Sequence, residues 1–280
     1  MAPAPEVDFD RALALRVQSH TGLSGPGYHR RALCRNPRCA HNRHHRPQRL
    51  RQIDASSRAV PTPPPLAGQV LLDGHDIHKL RTRDVATVLS LLPQTPQAPD
   101  SISVADLVSR GRYPHQGWFR SWSAKDDAIV EAAMIATGVR ELARRSIDEL
   151  SGGQRQRAWI AMALAQKTDL LLLDEPTTYL DITHQLEVLD LLIDVNRSSG
   201  ATVVMVLHDL NLACRYADNL LVMCAGRIVA QGAPQAIITP ELIRTVFNLE
   251  ALVLPDPVSD TPTIVPIGRH HKPHRDEVST

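Results

Sequence analysis

Two kinds of hydrophobic spacing alternate along most of this chain, and both fail near its N-terminus. From Gly68 onward, GQVLLDGHDI reads as a strand and turn. Leu170–Leu173 is a continuous apolar run closed by Asp174 and Glu175, the pattern of a strand buried in a parallel sheet. ATVVMVLHD, apolar and β-branched from Ala201 to Val206, reads as a second such strand and delivers His208 at its end. Trp159, Ile160, Ala163 and Leu164 recur at helical spacing behind Ser151-Gly152-Gly153-Gln154. Alternation of this kind predicts an α/β domain. Upstream, between Arg11 and Ile53, apolar residues follow neither period, Asp and Glu are absent, and Arg, His, Pro and Cys crowd together. The change of texture falls near Leu66. The expected organisation is an anomalous, irregular or disordered segment over 1–66, one domain over 67–269 and a polar tail over 270–280.

Length and composition narrow the class without naming a partner. A chain of 280 residues can bury one sizeable core with a small subdomain. The formal net charge of +1 gives no global reason to expect nucleic acid or a membrane surface as partner. No apolar run reaches the roughly 18 residues of a membrane span, and the start MAPAPEVDFD lacks the basic region of an export signal. Cys34, Cys39, Cys214 and Cys224 are too few and scattered for a disulfide framework, which fits a reducing cytoplasm.

The chemistry-bearing residues lie in LSGGQRQRAWIAMALAQKTDLLLLDEPTTYLD, from Leu150 to Asp181. Ser151, Gly152, Gly153 and Gln154 open a helix whose free N–H groups and positive dipole end suit a phosphate; a plain glycine-containing N-cap is the alternative. Ligands gather at the carboxyl ends of parallel strands. There Asp174 is placed to hold Mg²⁺ and Glu175 to polarise an attacking water, although adjacent carboxylates often only cap a loop. Asp181 follows in the next loop. His208 reaches the same edge if the two strands are parallel neighbours.

Motif identity, order and spacing together resemble the ATP-binding subunit of an ABC transporter, from about Gly68 to about Arg269. The resemblance implies a P-loop NTPase-like α/β core with a helical subdomain at about 102–165, and ATP and Mg²⁺ as cofactors. It makes Ser151–Gln154 the signature motif, Asp174 and Glu175 the Walker B pair, Asp181 the D-loop residue and His208 the switch histidine. Gln94, in LLPQTPQ, matches the Q-loop glutamine that senses Mg²⁺ and the permease. It further implies a homodimer or paired ATPase subunit that sandwiches two ATP molecules, each signature facing the γ-phosphate held by the other subunit. The implied partners are an integral-membrane permease and, indirectly, a substrate-binding protein, with the ATPase peripheral on the cytoplasmic face of the cell membrane. VADLVSRGRYPHQGWF (Val104–Phe119) and PTTYLDITHQLEVLDLL (Pro176–Leu192) are similar to importers of ferric siderophores, haem or cobalamin. In that family Arg110–His115 lies near the permease's coupling helix; Trp118, Phe119 and Trp122 serve there or simply pack.

One required device is missing. Such an ATPase needs GxxxxGK[ST], whose glycine amides cradle phosphates while the Lys reaches the β and γ oxygens. No Walker A sequence of this form occurs, and its place, Arg46–Asp54, reads RPQRLRQID. Permitted codons for Arg46–Ala55, CGG CCC CAA CGG CTG CGG CAA ATC GAC GCT, translate from the second base as GPNGCGKST. The same shift yields a strand end upstream and the amphipathic LLRALSRLLRP downstream. The expectation is therefore an ABC ATPase translated out of frame from somewhere in residues 10–20 to about Pro65, with hydrolysis impaired. A non-catalytic remnant, or a regulatory subunit that docks without hydrolysing ATP, is the alternative. Cys34, Cys39, His41 and His44 or His45 fit no standard zinc-finger spacing, and the eight Arg between Arg30 and Arg51 lack the aromatics of a nucleic-acid arm.

Overall fold

The computed structural model describes residues 13–17, 70–117, 122–224, 227–268 and 270. After β1 (Leu13–Val17), β2 (Leu71–Leu72) and β3 (His75–Asp76) pair through Asp73-Gly74. Both turn residues have positive φ, 49° and 83°, as a tight two-residue hairpin requires. α1 (Thr82–Val88) and β4 (Leu89–Leu92) lead to a helical region: α2 (Val104–Ser109), a 3₁₀ stretch Arg110–His115, α3 (Ala124–Ala136) and α4 (Gly152–Ala165). Then follow β5 (Leu170–Asp174), α5 (Ile182–Ser199), β6 (Thr202–Leu207), α6 (Leu210–Tyr216), β7 (Asn219–Cys224) and β8 (Arg227–Gly232). α7 (Pro234–Ile237), α8 (Pro240–Phe247) and a hairpin of β9 (Ala251–Pro255) with β10 (Pro262–Pro266) complete the described chain.

The central sheet runs β4-β5-β6-β1-β7-β8, with β4, β5 and β6 mutually parallel. Leu171, Leu173, Val203, Met205, Leu207, Leu220 and Val222 are buried in it, which is why these strands read as near-continuous apolar runs. β1 lies antiparallel to both β6 and β7, with Leu13 opposite Leu207 and Val222. Residues 1–66 were expected to be irregular or disordered. Leu13–Val17 nevertheless fills the middle of the sheet, because two adjacent buried strands cannot leave a row of N–H and C=O groups unpaired. The rest of 1–66, including 46–54, lies outside the described residues, as do Trp118, Phe119 and the tail beyond 270.

The segment RGRYPH ties the helical region together. A Cβ on Gly111 would lie 2.2 Å from the Met162 carbonyl oxygen, so only glycine allows this approach to α4. Arg112 is buried; its Nε donates to Asp126 Oδ1 at 3.0 Å and its Nη1 to the Ala165 carbonyl at 2.9 Å. His115 Nε2 lies 2.6 Å from the Gln166 carbonyl oxygen. Arg112→Ala leaves the buried Asp126 Oδ1 and the Ala165 carbonyl without the guanidinium donor, Ser123 still serving Asp126 Oδ2. It is expected to lower the thermal midpoint by on the order of 10 °C, with Arg112→Lys recovering only part, since one ammonium cannot serve both directions. The Ser123 hydroxyl and the Arg112 guanidinium hold the Asp126 carboxyl at about 2, below its ordinary 3.8. A depressed carboxyl stabilises the fold fully above its ordinary value and loses that contribution as pH falls from 3.8 towards 2. Acid melts should therefore show this loss in the wild-type chain, and a flatter profile in Asp126→Asn.

Candidate functional site

Three neighbouring parallel strands end side by side, and their carboxyl ends carry the expected residues. β5 exposes Asp174 and passes into Glu175; β6, in register with Asp174 opposite Val206, delivers His208; β4, with Leu92 opposite Leu173, delivers Gln94. Glu175 sits at φ 51°, a left-handed conformation that turns its side chain back over the strand ends. Its Oε1 accepts from His208 Nε2. Its Oε2 accepts from Gln94 Nε2 at 2.5 Å and from Thr178 Oγ1 at 2.8 Å. Because a carboxylate only accepts, His208 Nε2 carries the proton in this contact.

The Glu175 side chain is 13% exposed. Burial alone raises its pKa, but the hydrogen bonds from His208 and Thr178, the nearby imidazole charge and the Gln94 amide together bring it below the ordinary 4.5. Glu175 is thus an ionised group aimed into a polar corner at neutral pH. Asp174 is exposed beside it, with no hydrogen bond to its carboxylate among the described residues. Those residues contain no group of three or more His, Cys, Asp or Glu able to hold a metal. Asp174 and Gln94 therefore fit a hard cation only as a partial ligand set, which suits Mg²⁺ carried in with phosphate oxygens and water.

A second cluster forms at the start of α4. Ser151 caps the helix: its Oγ accepts from the Gln154 N–H at 3.3 Å, and Gln154 Oε1 accepts from the Ser151 N–H at 3.2 Å. Asp181 caps α5, accepting from the His184 N–H at 2.9 Å. The signature and Asp181 meet through His184, whose ring packs against Gly153. Sequence reasoning missed both His184 and Thr178. Each sits in PTTYLDITHQ, where a Thr after Pro reads as a turn and a His early in a helix as surface. Of the Arg110–His115 stretch, Gly111 and Arg112 are buried in internal packing and Tyr113 is exposed. Trp122 is 39% exposed and its Nε1 donates to Asp127 at 2.6 Å.

The family described as ABC transporter matches residues 60–178. The achromobactin transport ATP-binding protein CbrD of Dickeya dadantii is 54% identical over 215 residues, covering 77% of this chain and 80% of its own length. The chain belongs to the ABC transporter ATP-binding subunits. The ferric enterobactin transport ATP-binding protein FepC of Escherichia coli is 53% identical over 205 residues, covering 73% of this chain and 76% of that protein. Among solved structures, an inward-facing putative metal-chelate type ABC transporter is similar at 31% identity with a TM-score of 0.57, over 65% of this chain and 73% of that one. The ABC ATPase α/β fold is therefore the fold of this chain, and nucleotide binding is the family's common property. Among the described residues no helix is long and apolar enough to cross a membrane.

Proposed function

We propose that this chain is the ATP-hydrolysing subunit of an ABC importer, energising uptake of an iron–siderophore or related chelate from the cytoplasmic face of the cell membrane. The observation that supports it most is the convergence of Gln94, Glu175 and His208 at the ends of three parallel strands. Relatives named for transport of achromobactin and ferric enterobactin supply the substrate class. In this reading Asp174 and Gln94 hold Mg²⁺, which neutralises phosphate charge when bound. Glu175 orients and polarises the attacking water, and His208 steadies both Glu175 and the γ-phosphate. Ser151–Gln154 and Asp181 act on the nucleotide of a paired ATPase subunit. The pair docks on an integral-membrane permease that a substrate-binding protein serves.

The phosphate cradle is the part this polypeptide lacks, so its own hydrolysis is impaired. Co-expressed with the permease of a ferric-siderophore importer, the chain should co-purify with it in detergent, while its Mg·ATP turnover is strongly reduced yet stays above that of its Glu175→Gln variant. Turnover near the ~10 s⁻¹ of an ordinary enzyme would overturn the impairment; failure to bind any importer permease would overturn the transport role. A second reading, a subunit that docks without hydrolysing ATP, is favoured by the same absence of GxxxxGK[ST], and measurable turnover excludes it.

A further inference from the structure

His184 stands where the start of α4 meets the start of α5. Its backbone N–H and its ring Nδ1 both lie on one oxygen, Asp181 Oδ1, at 2.9 and 2.7 Å. Since that carboxylate can only accept, Nδ1 carries a proton. The opposite ring edge lies under the signature helix: a Cβ on Gly153 would stand 2.7 Å from His184 Cδ2 and 3.1 Å from Cγ. The loop below is itself fixed. Gln185 Nε2 donates to the Leu180 carbonyl at 3.0 Å, and Thr178 Oγ1 donates to Glu175 at 2.8 Å. The His184 ring thus sits between Gly153 of α4 and Asp181 at the end of the Glu175 loop, so close that a Cβ at 153 would force it to shift.

We propose that His184 is a positioning residue: its imidazole, held by Asp181, is the spacer that seats the N-terminus of α4, and with it Ser151–Gln154, on the Glu175 loop. The functional meaning rests on the importer reading, in which Ser151–Gln154 face a nucleotide; the spacer itself is a property of the fold. Asn is the conservative replacement, because its Nδ2 and Oδ1 stand where the Nδ1 and Cδ2 of His stand. Leu fills the volume without the hydrogen bond to Asp181.

The test is a thermal double-mutant cycle on the full chain, with amide exchange of Gln154 and Arg155. Gly153→Ala should lower the thermal midpoint in the wild-type background and raise it in His184→Ala, where the clash is gone and Ala is the better helix former. Exchange of the hydrogen-bonded amides of Gln154 and Arg155 should quicken about tenfold in His184→Ala, His184→Leu and Asp181→Ala, as the helix end opens more often, and stay near wild type in His184→Asn. An equal effect of Gly153→Ala in both backgrounds, or unchanged exchange in His184→Ala, would overturn the proposal. If the Ala variants do not fold, the imidazole ¹⁵N spectrum of the wild-type chain decides. A proton on Nδ1 of His184 supports the bond to Asp181, and a proton on Nε2 alone overturns it. No nucleotide enters these measurements, so they can fail while the importer reading stands, and the reverse.

Discussion

Replacing the segment from residues 10–20 through Pro65 by its second-frame reading, so that Arg46–Asp54 becomes GPNGCGKST, is expected to raise Mg·ATP turnover of the purified chain by about 10³-fold or more. Phosphoryl transfer leaves the protein mainly positioning and charge stabilisation to supply, and the amides of a glycine loop with its Lys supply both. The carboxylate side of the site is already assembled: Glu175 is held by His208, Thr178 and Gln94. A phosphate loop works only between the strand and the helix that hold it, so exchanging residues 46–54 alone should leave turnover unchanged, and replacing the whole segment from residues 10–20 to Pro65 should restore it. A steady-state phosphate-release assay on the three chains separates these outcomes.

In that restored chain, Glu175→Gln is expected to lower kcat by roughly 10²–10⁴-fold while leaving ATP binding intact. The carboxylate receives three donors on two oxygens. A carboxamide has one accepting oxygen, so its NH₂ must face either His208 or the Thr178–Gln94 pair, and one set of hydrogen bonds is lost with the charge. The depressed pKa also fixes a pH signature. A group already ionised at neutral pH loses activity only as pH falls below its ordinary 4.5, so Glu175 adds no acid limb to kcat above that value. Single-turnover hydrolysis and equilibrium nucleotide binding, measured in parallel, test the split.

Much of the cluster at the strand ends was legible because its signals are local. LLLLDE and ATVVMVLHD are apolar runs ending in polar residues, and parallel order brings their ends together. LSGGQ is a helix start whose Ser and Gln cap each other. What could not be read depends on contacts between distant segments. Arg112 sits 14 residues from Asp126 and 53 from Ala165, and nothing in RGRYPH distinguishes a buried guanidinium from a surface one. The glycine at 153 looked like part of a phosphate-binding turn; its closest neighbour is the ring of His184, which only the packing of α4 on the following loop brings near. β1 was illegible for the same reason: its pairing partners, not its own spacing, place it in the sheet.

The nucleotide sequence across the codons for residues 10–70 tests the central claim most directly. An importer ATPase read out of frame must carry, one base out of register, codons for GPNGCGKST or a close GxxxxGK[ST] variant, flanked by a strand and a helix. A second frame without those codons would contradict it, and would leave the chain a member of the family built without a phosphate loop.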